Sequence, residues 1–149
     1  KDMKPVEVDD VARLLVNFAR GCGGTIEANW IQTGRNMQRG FELTGEKGSL
    51  VFTQERLNEL LYYKAGGTAQ HAGFTRIEAG PQHEPYGGFC VAGGHQLGFN
   101  DLKAIEMAEF LGAIGKGEKS GPDFREAYEI QKVVDAAITS SKDRRWTTV

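Results

Sequence analysis

The amino-acid sequence predicts an α+β fold, in which a largely antiparallel open β-sheet has two C-terminal helices packed on one face. Short segments that alternate apolar and polar residues, as half-buried strands do, occupy the first half of the chain. Apolar residues at helical spacing occur only after about residue 100. Strands that come first and helices that come last are typical of an α+β domain. The 149 residues are enough for one domain with a core, predicted to span residues 1–149.

The first two predicted strands form an antiparallel hairpin. Val11–Ala19 alternates, with Leu14 and Val16 on the apolar face, and Thr25–Thr33 follows the glycine-rich turn Gly21–Gly24. Trp30 is predicted to be a core anchor rather than a stacking platform. The other face of this sheet is open to two interpretations, because it can meet solvent or a partner sheet.

The remaining strands follow a second hairpin. Its Gly45-x-x-Gly48 centre supplies the positive φ that a tight turn requires. The predicted elements, in order, are the hairpin Phe41–Thr53, a helical turn at Gln54–Asn58, the strands Glu59–Lys64 and Phe74–Glu78, and the irregular loop Gly80–Leu97. A loop of that length inside a compact domain is usually functional or disordered.

Two helices and a short strand complete the prediction. Asn100–Ile114 has helical apolar spacing, with Asn100 as its N-cap and Gly115 and Gly117 at its end. Phe124–Ser141 is the second helix, with Pro122-Asp123 at its start. Arg145–Val149 is predicted to be a terminal strand.

Composition argues against several classes of function. A net charge of −2 and a pI of about 6.0 do not favour nucleic acid or an anionic membrane as a partner. The mean hydropathy is −0.42, and neither a membrane-spanning run nor a signal peptide is evident. Cys22 and Cys90 lack C-x-x-C spacing, so we expect two buried free thiols in a cytoplasmic protein and no zinc site.

No catalytic constellation emerges from the motifs. The three histidines, His71, His83 and His95, show no metal-ligand spacing, so no metal site is predicted. His71 and His83 lie in Gly/Pro-rich loops and are expected to be exposed. His95 lies between glycines just before the first helix, where it can either donate to a sugar hydroxyl or pack at the helix entrance.

One polar loop suits a hydroxyl-rich ligand. Thr33–Arg39 carries Arg35, Asn36, Gln38 and Arg39, whose side chains supply several hydrogen-bond donors and acceptors. The alternative is that the two arginines are solvated loop charges, which is their usual role.

The ordered set of motifs resembles the C-terminal domain of the glucose-fructose oxidoreductase / inositol dehydrogenase / MocA (Gfo/Idh/MocA) family of NAD(P)-dependent sugar and cyclitol dehydrogenases. The matching segments cover nearly the whole chain: Asp9–Val11, Trp30–Arg35, Phe41–Leu50, Glu55–Leu60, Gly94–Phe99, Glu109–Ile114, Pro122–Phe124 and Arg145–Val149.

The resemblance implies a domain that works as part of a larger enzyme. Family members begin with a Rossmann domain that binds the dinucleotide, and they carry a catalytic lysine, aspartate and histidine in positions this chain does not reach. NAD or NADP is therefore expected in the parent protein and not on this domain, and no catalytic residue is assigned here. In many members the open face of the sheet packs against another subunit, which implies a homo-oligomer. The residues expected to bind a sugar or cyclitol are Arg35, Asn36, His95, Asn100 and Asp101.

A second hypothesis remains beside this one. The chain can be a free-standing, non-catalytic module that binds a small polar ligand or a protein partner. A glycine fingerprint in the upstream coding sequence would favour the enzyme domain over this module.

Overall fold

The structure is a computed structural model that describes residues 3–149. Within them lie six β-strands and two α-helices, with three short 3-10 turns between strands or in loops. The strands are β1 (Val11–Asn17), β2 (Gly23–Asn29), β3 (Gly40–Gly45), β4 (Gly48–Thr53), β5 (Glu59–Lys64) and β6 (Thr75–Glu78), and the helices are α1 (Phe99–Lys116) and α2 (Phe124–Asp143). The predicted α+β class with antiparallel strands is confirmed.

The strands form two sheets among the described residues, where one open sheet was predicted. β1 pairs with β2, and β3, β4, β5 and β6 pair in that order, every pair antiparallel. The second predicted strand ends early, at Asn29 instead of Thr33. The Asn29 side-chain Oδ1 accepts a hydrogen bond from the Ile31 N–H at 3.2 Å, and this local turn diverts the chain from the β1–β2 ladder.

The chain divides into two compact units. Unit 1 comprises the residues up to Arg35 together with Pro122–Val149, and unit 2 comprises Asn36–Gly121. Unit 1 therefore contains β1, β2 and α2, whereas unit 2 contains β3 to β6 and α1.

In unit 1, helix α2 begins where the sequence predicts. Asp123 is its N-cap and accepts from the Glu126 N–H at 2.9 Å, while the Glu126 carboxylate accepts from the Asp123 N–H at 3.0 Å. This reciprocal capping satisfies two N–H groups that the helix itself leaves unpaired.

The predicted terminal strand Arg145–Val149 is wrong, because these residues are irregular. The Ser140 hydroxyl donates to the Arg145 carbonyl at 2.6 Å, and the Arg145 N–H donates to the Ser140 carbonyl at 3.3 Å. The start of the tail is thus tied back to the last turn of α2, and Arg144 turns the chain there in a left-handed conformation, with φ of 53°.

A charged pair crosses the β1–β2 ladder. Arg13 lies opposite Glu27 and donates to its carboxylate at 3.0 Å, and Asn29 donates to the other carboxylate oxygen at 3.2 Å. These hydrogen bonds, the one from Arg13 first, lower the pKa of Glu27 below its ordinary value of 4.5.

The β1–β2 hairpin should therefore weaken in acid. Because the folded state holds the pKa of Glu27 below its unfolded value, the stabilisation is present above that unfolded value and is lost as the pH falls through the lowered one. Amide hydrogen exchange of β1 measured between pH 6 and pH 3 should show this loss. A Glu27→Gln variant should be less protected at pH 6 and should lose less protection in acid, and equal acid sensitivity in both proteins would contradict the assignment. The effect should be small, since both side chains are exposed.

In unit 2, the β3–β4 hairpin turns at the predicted glycines. Gly48 has φ of 151°, and a Cβ at this position would lie 2.0 Å from the Tyr63 carbonyl oxygen of β5. Only glycine allows the backbone of β5 to approach this closely.

One face of the unit 2 sheet is largely apolar. Leu43, Leu50 and Tyr62 lie opposite one another across β3, β4 and β5. Phe41 and Phe52 form the next row on the same face, with ring centroids 5.7 Å apart. These five residues are called the apolar sheet face below. Phe41 and Leu43 remain 48% and 58% exposed.

Helix α1 differs from its prediction at both ends. Its N-cap is Gly98 and not Asn100, because the Asp101 carboxylate accepts from the Gly98 N–H at 2.7 Å and so anchors an earlier start. At the other end Gly115 lies inside the helix, and Gly117 ends it in a left-handed conformation, with φ of 67°.

Much apolar surface is left uncovered. The accessible surface is 13165 Å², whereas even two separately compact bodies with this total mass would expose roughly 9,000 Å². Trp30 is 87% exposed, so its predicted role as a core anchor is wrong.

Of the two predicted buried thiols, Cys90 is buried and Cys22 is exposed. Within residues 3–149, no helix combines the length and the apolar character needed to cross a membrane.

Candidate functional site

The five predicted site residues are divided between the two units. Arg35 belongs to unit 1, and Asn36, His95, Asn100 and Asp101 belong to unit 2. That all five line one pocket stays a prediction.

The polar loop is shaped by local backbone bonds. In unit 1, Gly34 has φ of 91° and the Arg35 N–H donates to the Gln32 carbonyl at 3.3 Å, which closes a turn just before the predicted ligand-binding arginine. In unit 2, the Asn36 N–H donates to Glu55 Oε1 at 2.8 Å. Glu55 lies in the 3-10 turn after β4, so a side chain from another part of the sheet fixes the Asn36 backbone.

His95 is exposed, while its backbone is held on both sides. Its N–H donates to the Ala92 carbonyl at 3.1 Å, in a turn where Gly94 has φ of 85°. The Cys90 thiol donates to the His95 carbonyl, with Sγ 2.7 Å from the oxygen. An exposed side chain argues against packing at the helix entrance, and the contact of His95 with a ligand stays a prediction.

The residues that follow His95 are anchored by Asn58. Its Nδ2 donates to the Leu97 carbonyl at 2.9 Å, and its Oδ1 accepts from the Leu97 N–H at 2.9 Å. Leu97 is only 5% exposed, so this pair of bonds fixes a buried residue immediately before α1.

Asn100 and Asp101 lie in the first turn of α1. Asp101 already has a structural function, because one of its carboxylate oxygens accepts from the Gly98 N–H at 2.7 Å. A carboxylate has room for several further donors, so this bond is compatible with a contact to a sugar hydroxyl.

Two clefts among the described residues are lined by none of the five predicted residues. One of about 510 Å³ lies in unit 1 between β1, α2 and the C-terminal tail, with Arg13, Val133 and Trp146 in its wall. The other, of about 340 Å³, lies at the end of the β3–β4 hairpin in unit 2, beside Leu43 and Tyr62.

Metal-ligating side chains are not grouped within residues 3–149. Among them, no cluster of three or more His, Cys, Asp or Glu side chains has an arrangement that suits a metal ion. The glycine-rich segment Gly21–Gly24 leads into β2, an antiparallel strand, so it lacks the helix N-terminus that usually holds a phosphate.

Sequence reasoning missed the three residues that hold the site backbone, namely Glu55, Asn58 and Cys90. Asn58 is 39 positions before Leu97, and Glu55 is 19 positions after Asn36. An asparagine at the end of a short turn between two strands was the available signal, but nothing local identifies its distant partner.

The whole chain, residues 1–149, matches the profile of a family described as "Oxidoreductase family, C-terminal alpha/beta domain". It is 36% identical over 146 residues to levoglucosan dehydrogenase from Pseudarthrobacter phenanthrenivorans. The aligned region covers 97% of this chain but only 37% of that relative. The solved levoglucosan dehydrogenase in complex with NADH and levoglucosan superposes with a TM-score of 0.90 at 34% identity, over 98% of this chain and 40% of that one. An oxidoreductase domain protein from Kribbella flavida gives a TM-score of 0.91 at 36% identity, over 97% of this chain and 37% of that one. The chain thus spans about two fifths of the length of these relatives.

Proposed function

The chain belongs to the Gfo/Idh/MocA oxidoreductase family, whose C-terminal alpha/beta domain it matches, and we propose that it is the substrate-binding and self-association domain of an NAD(P)-dependent sugar or cyclitol dehydrogenase. The observation that carries this proposal is the match to levoglucosan dehydrogenase, which extends over almost all of this chain but little more than a third of the relative.

In this proposal, the cofactor and the hydride chemistry belong to the rest of the parent enzyme. NAD(P) supplies the chemistry of hydride transfer, and the protein has to hold it against the substrate. The glycine-rich segment Gly21–Gly24 leads into a strand, whereas a solved relative carries NADH together with its sugar. This chain would therefore contribute the surface that orients the substrate.

The five predicted residues have the chemistry that a polyol needs. Each sugar hydroxyl both donates and accepts, so a binding site combines donors with acceptors. Arg35 provides donors only, Asp101 acceptors only, and Asn36, His95 and Asn100 provide both. The levoglucosan complex of a relative favours a sugar over a cyclitol as the ligand.

Self-association through the apolar sheet face is the second part of the proposal. Phe41 and Leu43 expose about half of their surfaces at the edge strand β3, beside Leu50, Phe52 and Tyr62. A contiguous apolar patch of this kind usually marks an interface, and a second copy of the same face is the partner that closed symmetry favours.

The two free cysteines, one of them exposed, suit a reducing compartment, and we place the parent in the cytoplasm.

A turnover assay on two proteins tests the proposal. The full-length parent should reduce NAD or NADP when given levoglucosan, inositols or common sugars. This chain alone should fold but give no measurable turnover and no tight NAD(P) binding, because hydride transfer requires a bound cofactor. Turnover by the chain alone would refute its assignment as a non-catalytic domain, and a parent that oxidises no polyol would refute the substrate class.

A further inference from the structure

We propose that Asn58 is a positioning residue for the sugar site. Its carboxamide and the Cys90 thiol together fix the backbone that carries His95. This inference rests on the proposed function, because it gives the held segment, His95–Gly98, the task of presenting His95 to the substrate.

The Asn58 carboxamide uses both of its ends on one residue. Nδ2 and Oδ1 each make a 2.9 Å bond to Leu97, one to its carbonyl and one to its N–H. This pairing imitates a rung of a β-ladder at a place where the chain has no strand partner. Because both groups of Leu97 are partly buried, they would be costly to leave unpaired.

Cys90 holds the other end of the same segment. It is 1% exposed, and its Sγ lies 2.7 Å from the His95 carbonyl oxygen and 3.5 Å from that of Ala92. The segment is thus fixed two residues after His95 by Asn58 and at His95 itself by Cys90. The bond from the Gly98 N–H to Asp101 then continues this anchoring into α1.

Such anchoring has a consequence for ligand binding. A side chain on an otherwise irregular loop loses conformational freedom when it binds, which weakens affinity, and a backbone fixed in advance removes much of that cost. The loop Gly80–Leu97 contains only one 3-10 turn, so its own secondary structure does not supply this rigidity. Around His95 the side-chain bonds from Asn58 and Cys90 supply it, together with the backbone bond from the His95 N–H to the Ala92 carbonyl.

The first test follows the reactivity of the Cys90 thiol in the full chain, with Cys22→Ser as background so that the exposed thiol does not interfere. Asn58→Ala should raise the rate of Cys90 alkylation without denaturant by about tenfold or more, because local opening exposes the thiol. Val51→Ala, in the central strand β4, is the matched control, since it removes two methyl groups from unit 2 at a position outside the segment. Alkylation that responds equally to both variants would mean that Asn58 contributes only global stability, and it would overturn the inference.

The second test uses the sugar kinetics of the full-length parent. Asn58→Ala should raise the KM for the sugar while the KM for NAD(P) stays unchanged, and in a His95→Ala background it should add little, because both changes disable one unit. Additive effects would overturn the inference, as would a normal KM in Asn58→Ala beside a raised KM in His95→Ala. A third outcome is a normal KM in His95→Ala together with rapid Cys90 alkylation in Asn58→Ala. It would refute the role of His95 in the proposed function, and with it the role of Asn58 in presenting His95. The anchoring of the backbone by Asn58 would still stand.

Discussion

His95→Ala in the full-length parent should raise the KM for the sugar by about 10- to 100-fold, the loss expected when one or two hydrogen bonds to a bound polyol disappear. The affinity for NAD(P) should not change, since the cofactor is assigned to another part of the protein. Arg35→Ala should behave in the same way if both residues bind the sugar. Steady-state kinetics with separate sugar and cofactor titrations measure both quantities.

Two further variants make this result specific. His95→Gln keeps a donor and an acceptor on the side chain, so it should recover part of the affinity. His71→Ala changes an exposed histidine in a 3-10 turn of the same unit, where it contacts the Thr68 hydroxyl at 3.0 Å, and should leave the KM unchanged. A His95→Ala enzyme with the KM of the wild type would remove His95 from the site.

Leu43→Glu should convert a self-associating chain into a monomer. The chain should form dimers or larger species at micromolar concentration through the apolar sheet face, and a carboxylate at the 58% exposed Leu43 would have to be buried there. Burying an unpaired charge is costly enough to weaken association by about 100-fold or more. Light scattering over a concentration series measures the change.

Glu42→Lys is the matched control for this variant. Glu42 is adjacent to Leu43 on β3 and points to the opposite face of the sheet, so the control also changes a charge on the edge strand but leaves the apolar sheet face intact. Its association should resemble that of the wild type. A wild-type chain that is monomeric at all these concentrations, or a Leu43→Glu chain that still associates, would contradict the proposed interface.

Local chemistry made part of the fold predictable. The strand predicted at Glu59–Lys64 has the bounds of β5 in the structure, and the Gly45-x-x-Gly48 pattern placed the hairpin correctly. Asp123 was predicted at the start of α2 and is its N-cap. In each case the deciding interaction lies within a few residues along the sequence.

Predictions that depended on distant partners did less well. Trp30 has the alternation of a core residue, but burial depends on what covers the face, and it is 87% exposed. A local competition also misled the prediction: Asn100 is a good capping residue by type, but the Asp101 carboxylate, three residues after Gly98, moves the start of α1 to Gly98. For the candidate site, the sequence suggested the polar residues, but it could not reveal that Asn58 holds Leu97 across 39 positions.

The large uncovered surface also bears on how such a chain behaves in a cell. With an accessible area of 13165 Å², the chain leaves many large apolar side chains in contact with water, and these add little to folding unless the proposed assembly covers them. Under the proposed self-association, folding and assembly become a single linked equilibrium, in which the concentration of the partner surface sets the fraction of native chain. A copy produced in excess of its partner would be a substrate for chaperones and proteases, so its steady-state abundance would follow that of the molecule it assembles with.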